Sequence, residues 1–231
     1  MNIVITGASR GIGYSTIKRL AKDKNNKIFV LTRNIKSFLE KVKADEELTN
    51  SNIECYHFDL EQFSIETFPD LSLNIDVLIN NAGVLINKPF SLLEEEDWLS
   101  IFQTNVLGPA KLIRYLLPFM GKNTSATHIV NIGSMGGFQG SSKFPGLSAY
   151  SSSKAALANL SECLAEELKD SNIISNCLCL GAVNTDMLRA AFPEYKAPTS
   201  SDDMGEFIAD FALNGQKYFN GKTIPVSVAT P

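Results

Sequence analysis

The chain has 231 residues, a formal net charge of −4, and 44% apolar against 20% charged residues, which is the size and balance of one α/β domain with a large core. The acidic balance argues against nucleic acid or an anionic membrane as the main partner, and no stretch approaches the roughly 20 apolar residues that span a bilayer. The first strand-like run begins at residue 2, leaving no room for a signal or transit peptide. Cys55, Cys163, Cys177 and Cys179 lack C-x-x-C spacing and lie in apolar segments, so buried free thiols in a cytoplasmic protein are expected. His57 and His128 stand singly, without metal-ligand spacing, and read as structural.

Residues 2–6 form a short run of branched apolar side chains and lead into Gly7-Ala8-Ser9-Arg10-Gly11-Ile12-Gly13, after which Ile17, Leu20 and Ala21 recur at helical spacing. Strand, glycine-rich turn and helix in succession form a pyrophosphate cradle. Glycine permits the tight bend and the close approach of backbone amides, and the helix start supplies N–H donors and partial positive charge. The spacing is G-x-x-x-G-x-G, a variant of the common dinucleotide fingerprint.

The second strand, 27–32, ends at Thr32-Arg33, where a fold of this type carries an acidic residue for the ribose when it binds NAD. A carboxylate would repel a 2′-phosphate, whereas a guanidinium binds one through paired charge-assisted bonds. Arg33, with Arg10 as a second candidate, therefore favours NADP(H), with NAD(H) as the alternative.

Further strand-like runs fall at 53–58, 75–80, 127–133, 174–180 and 222–228, and helical patterns at 12–20, 35–48, 94–120, 150–169 and 202–213. Regular alternation with strands apolar on both faces predicts a single-domain α/β fold, a doubly wound parallel sheet of Rossmann type with right-handed crossovers. Ligands then bind beyond the carboxyl ends of the strands, and the unusual residues sit in those loops. They are Asp59-Leu60 after the third strand, Asn80-Asn81-Ala82-Gly83 after the fourth, Ser134 with Gly136 and Gly137 after the fifth, and Val183 and Thr185 after the sixth. Asn105 is an amide within an otherwise apolar helical pattern. Tyr150 and Lys154, at i and i+4, share a helix face at about 5–6 Å between Cβ atoms. A fixed positive charge there would pull a phenol from near pH 10 toward the neutral range of acid–base catalysis.

Together, Thr6-Gly7-x-x-x-Gly11-x-Gly13, Asn80-Asn81-Ala82-Gly83, Asn105, Ser134 and Tyr150-x-x-x-Lys154 resemble the compact branch of the short-chain dehydrogenase/reductases, in that family's order and over essentially the whole chain. The resemblance implies hydride transfer between nicotinamide C4 and a carbonyl carbon of a small-molecule substrate. Tyr150 would be the proton donor and acceptor, and Ser134 would hydrogen-bond the same oxygen. Lys154 would hold the nicotinamide ribose and lower the Tyr150 pKa, and Asn105 would anchor a water in a proton relay. It also implies Gly7, Ser9, Arg10, Gly11, Ile12 and Gly13 at the pyrophosphate, Asp59 with Leu60 at the adenine, Asn81, Ala82 and Gly83 at the ribose, and Val183 with Thr185 at the carboxamide. A homodimer or homotetramer is expected through the apolar helix that begins at Glu94. The chain departs from the family at Leu180, where proline is usual, in about three extra residues between Ser134 and Tyr150, and in its C-terminal stretch. The segment 184–201, with Pro193, Pro198, Met187, Phe192 and Tyr195, reads as a lid over an apolar substrate. A sensor or scaffold that kept the fold without turnover is the alternative, and it would have no need of the Ser134–Tyr150–Lys154–Asn105 set.

Overall fold

Strands written in branched apolar residues on both faces require cover on both faces, and a parallel sheet between two helical layers provides it. The computed structural model describes residues 1–62 and 74–228. In chain order it contains β1 (Asn2–Thr6), α1 (Gly11–Leu20), β2 (Lys27–Thr32), α2 (Ile35–Ala44), β3 (Asn52–His57), β4 (Val77–Asn80), α3 (Glu95–Phe102), α4 (Gly108–Leu116), β5 (Thr127–Ser134), α5 (Ser148–Glu167), β6 (Ile173–Leu180), α6 (Asp186–Ala191), α7 (Ser201–Asn214) and β7 (Thr223–Val226). Among the described residues the strands pair in parallel in the order β3-β2-β1-β4-β5-β6-β7. The order reverses at β1, whose neighbours β2 and β4 lie on opposite sides, and a crevice opens there at the carboxyl ends.

Alternation along the strands divides the core. Ile3, Ile5, Ile28, Val30, Val77 and Ile79 pack with Ile17, Leu20, Phe38 and Ile208 of α1, α2 and α7. Val4, Phe29, Leu78 and Ile129 point the other way, against Leu112, Ile113 and Leu116 of α4. Gly205 lets α7 lie directly on α1, since a Cβ there would fall 2.5 Å from that of Ser15. The Ser15 hydroxyl donates to Asp202 across the same contact at 2.6 Å.

The pattern over 94–120 predicts one helix, and the structure divides it. A π-helical turn at Gln103–Leu107 separates α3 from α4, with the Gly108 N–H reaching back five residues to Gln103 O. Pro109 has no N–H and its ring clashes with the carbonyl four residues earlier, so the backbone widens ahead of it. The segment 184–201, expected as an irregular lid, contains α6, started by the Thr185 side chain accepting from Leu188 N. The thiol expectation holds for Cys177 and Cys179 only. Cys163 is exposed on the outer side of α5, and Cys55 is half-buried because β3 is an edge strand with one neighbour.

His128 of β5 is fully buried between α7 and the C-terminal edge. Its Nδ1 lies 3.0 Å from Ala212 O, an acceptor, so Nδ1 carries the proton, and Nε2 accepts from Asn176 Nδ2 at 3.0 Å. Asn176 also donates to Phe219 O and accepts from Lys222 N, joining β6 to the chain leading into β7. Desolvation depresses the His128 pKa from 6.5 to about 4. Because the folded value lies below the unfolded one, this stability is complete above about pH 6.5 and is lost as pH falls toward 4, by about 3 kcal/mol for this shift. Urea midpoints should fall between pH 7 and 4.5, and His128→Gln should flatten that dependence. An equally steep fall in the variant would place the titration elsewhere.

Candidate active site

The crevice is a cavity of about 550 Å³ walled by the loops that follow β1 through β6. Gly7, Ser9, Arg10, Gly11, Ile12 and Gly13 form one side. Gly7 and Gly11 have φ of +68° and +55°, in the left-handed region that favours glycine. A Cβ on Gly7 would fall 2.7 Å from Ala82 Cα, and one on Gly13 would fall 2.5 Å from Asn81 Nδ2. The turn is held from behind by Thr6, whose hydroxyl accepts from Asn81 N and Ala82 N at 3.1 and 3.0 Å. Asn81 Nδ2 donates to Thr6 O and Gly7 O. The Asn81 side chain thus shapes the turn, while Ala82 and Gly83 carry on the cavity wall. No side chain caps α1 and its first turn has no acid, so its opening amides and dipole are left for an anion. A pyrophosphate fits this cradle.

At the end of β2 the wall is made by Thr32, Arg33, Asn34, Ser37 and Lys41, and Asp59 and Leu60 close the next side. Arg33 is exposed, as expected for an anion contact. Arg10 lies 3.8 Å from Asp186, an exposed pair, and so bridges the glycine turn to α6. Lys41, missed in the sequence, brings its ammonium to Ser9 O at 2.9 Å, at the cavity edge. The signal was present: Lys41 stands one turn beyond Ser37 on a helix that starts at the mouth of the second strand. Asp59 Oδ1 accepts from Glu61 N at 2.8 Å.

Across the crevice Ser134, Tyr150 and Lys154 come together. The loop after β5 wraps the start of α5 so closely that a Cβ on Gly137 would fall 2.5 Å from Ala155 N. Ser134 Oγ accepts from Gly136 N at 3.1 Å and lines the cavity beside Tyr150. Lys154 is 4% exposed, donates to Ile132 O at 2.8 Å, and has its Nζ 5.9 Å from the Tyr150 ring centre. The structure corrects one expectation. Burial raises the Tyr150 pKa above its ordinary 10, and the nearby Ser134 hydroxyl only partly opposes it. Burial also lowers Lys154 to about 8. Desolvation is the largest effect on both groups, and spacing on a helix face cannot reveal it.

Asn105 is fully buried on the π-helical turn. Its Oδ1 accepts from Val84 N at 2.9 Å and its Nδ2 donates to Val84 O and to Ser153 Oγ, each at 3.0 Å. It therefore clamps the loop after β4 to α5 beside Lys154. A Cβ on Gly83 would fall 3.2 Å from Asn105 Oδ1 and 3.3 Å from Lys154 Nζ, so glycine leaves room for both polar groups beside the loop.

Leu180, where proline was expected, continues the sheet to the site: it pairs with Ser134, and its carbonyl accepts from Met135 N at 2.8 Å. Val183 bridges to Thr199, and Thr185 Cγ2 lies 3.6 Å from where a Gly11 Cβ would stand. The Thr185 hydroxyl is engaged as the α6 cap. No group of His, Cys, Asp and Glu among the described residues could hold a metal ion, and no helix among them is long and apolar enough to cross a membrane.

Comparison with known proteins agrees with this geometry. Residues 1–196 match the family described as short chain dehydrogenase. The chain is 27% identical to a 3-oxoacyl-[acyl-carrier-protein] reductase, FabG, of Chlamydia trachomatis, over 96% of this chain and 94% of the relative. It is 34% identical to an NADP-dependent 3-hydroxy acid dehydrogenase of Schizosaccharomyces pombe, over 91% and 86%. A short chain dehydrogenase of Shigella flexneri solved with NADP superposes with a TM-score of 0.84 at 25% identity, over 97% and 95%. With a glycine cradle and a Ser–Tyr–Lys cluster facing each other across the switch point of its sheet, the chain belongs to the short-chain dehydrogenases, oxidoreductases that use a nicotinamide cofactor.

Proposed function

We propose that this chain is an NADP(H)-dependent carbonyl reductase acting on a ketone, aldehyde or 3-oxoacyl group, with Tyr150 as its acid. The observation that carries this reading is the meeting of Ser134, Tyr150 and Lys154 on the wall opposite the glycine turn of one cavity. When bound, the nicotinamide supplies the hydride. Its pyrophosphate would be held by the turn from Gly7 to Gly13, its adenosine end by Arg33, Lys41, Asp59 and Leu60, and its nicotinamide end by Lys154, Val183 and Thr185.

The residues divide the proton work. Burial keeps the Tyr150 phenol protonated at neutral pH, the form that can donate to a substrate oxygen. Ser134, on the same cavity wall, is placed to hydrogen-bond that oxygen and so orient it toward the phenol. Lys154, at about 8, is still mostly cationic at pH 7 and stabilises the phenolate left after transfer. Asn105 holds the Lys154 surroundings in register through Ser153 and Val84.

Preference for the phosphorylated cofactor is supported by three cations, Arg10, Arg33 and Lys41, at the adenosine end, with no acid on Thr32-Arg33-Asn34. It is supported also by the named cofactor of the fission-yeast relative. A homo-oligomer is supported by Phe90, Leu92, Leu99 and Leu107, large apolar side chains left exposed on and around α3 and the π turn. Light scattering should give a mass above the 25.3 kDa of one chain, and a mass at that value would refute the assembly.

Tyr150→Phe should lower kcat about 10²–10⁴-fold while NADPH affinity stays within about twofold, measured by absorbance and fluorescence titration. Full activity would refute the proton role, and tight NADPH binding by a wild type inert toward all carbonyls would favour a sensor. Arg33→Asp and Lys41→Glu should each raise the KM for NADPH about tenfold or more and improve use of NADH. An unchanged cofactor ratio in both would mean that the 2′-phosphate is held elsewhere.

A further inference from the structure

The cavity wall beyond Tyr150 comes from three segments bound to one another. Lys88 N donates to Gly146 O at 3.0 Å, tying the loop after β4 to the one after β5. Asn87 Nδ2 donates to Ala191 O at 2.8 Å, tying the same loop to the end of α6. Where these segments meet, Phe144 and Phe192 touch edge to face, with ring centres 5.8 Å apart and planes at 74°. Both rings line the cavity, together with Val84, Leu85, Met135 and Leu147. Phe144 lies in the stretch between Ser134 and Tyr150, and Phe192 in the segment 184–201.

Charge within the cavity is segregated. Arg10, Arg33 and Lys41 line it at the loops after β1 and β2. On the apolar side Lys154 is the cation, already hydrogen-bonded to Ile132 O. Lys88, Arg189 and Lys143 on the neighbouring segments are engaged by other groups, and Lys196 is exposed and does not line the cavity. Lys88 pairs with Asp97 at 2.7 Å, Arg189 with Asp186 at 2.6 Å, and Lys143 donates to Phe138 O at 2.6 Å. A carboxylate entering beside Tyr150 would lose its hydration with no dedicated partner, whereas an aryl or alkyl group would meet two aromatic edges and an aliphatic wall.

We infer that Phe144 and Phe192 form an apolar latch over the catalytic hydroxyls that selects uncharged aryl or alkyl carbonyl compounds and rejects oxo-carboxylates. The inference rests on the reductase reading above and names its substrate class. The paired rings narrow the cavity beside Tyr150 and give an entering substrate an aromatic wall.

The test compares phenyl methyl ketone with its ring carboxylate, 4-acetylbenzoate, as substrates with NADPH, and measures 1-phenylethanol binding to the NADP⁺-loaded protein by calorimetry. The ketone should have at least about tenfold higher kcat/KM than the carboxylate. Phe144→Ala and Phe192→Ala should each lower the ketone's kcat/KM and the alcohol's affinity about tenfold, with NADPH affinity within about twofold. Phe144→Leu and Phe192→Leu, which keep apolar bulk, should lose less than the alanine variants. Equal turnover of ketone and carboxylate, or alanine variants that match the wild type, would overturn the latch and leave the reductase reading standing. Alcohol binding that depends on both rings, without turnover of any carbonyl, would overturn the reductase reading and leave the latch. Neither binding nor turnover would overturn both.

Discussion

A lysine ammonium carried into the interior of the sheet, beside a phenol, constrains the architecture around it. Burial lowers the Lys154 pKa to about 8, and the desolvated ammonium is satisfied in part by donating to Ile132 O. For the ammonium to reach the cavity, the loop after β5 must lie flat on the first turns of α5. Gly136 and Gly137 allow it: a Cβ on Gly136 would fall 2.9 Å from Ser151 Oγ, and one on Gly137 would meet the backbone of Lys154 and Ala155. Gly133 is glycine for a related reason, since the buried Cys177 and Cys179 sulfurs occupy the space its side chain would take. The neighbouring loop must stay equally thin, and Gly83 makes it so. The Ser–Tyr–Lys geometry is thus enforced by close packing of backbone against side chain rather than by the three residues alone.

The opposite wall is shaped by the same kind of indirect support. The glycine turn does not hold its form by flexibility; Thr6 and Asn81 spend their hydrogen bonds on it from beneath, and Ala82 lies against Gly7. The resulting cradle exposes the uncapped start of α1 at the place where β1 separates β2 from β4. Asn105 performs the corresponding task for the other wall, and it can do so because the π turn redirects the helix at Gly108 and Pro109. Gly108 also lets α4 settle on Leu60, which ties the adenosine side of the cavity to the same helix.

Much of this was legible from residue pattern. The strands are mostly apolar on both faces, which identifies a buried parallel sheet, and the loops after them carry polar residues that line the crevice. Boundaries moved by a few residues at most, except where a nonlocal effect intervened. The π turn ahead of Pro109 is not visible in apolar periodicity, and Gly108 beside it is packed against Leu60 from another part of the chain. Helix α6 is only six residues long and sits among prolines, too short for periodicity to show. Lys41 lies eight residues beyond Arg33, and the course of α2 returns it to Ser9. The directions of the Tyr150 and Lys154 pKa shifts were out of reach because they follow from depth, and an i, i+4 spacing says that two groups are neighbours but not whether water reaches them.

The account depends on Lys154 being desolvated in the folded protein, so its own titration is the most direct check. With lysine labelled at Nζ and the signal assigned through Lys154→Arg, the cofactor-free protein should show one ammonium titrating at about 8, well below the ordinary 10.5. A Lys154 midpoint at that ordinary value would mean a solvated amine, and would contradict the arrangement on which the proposed proton transfer rests.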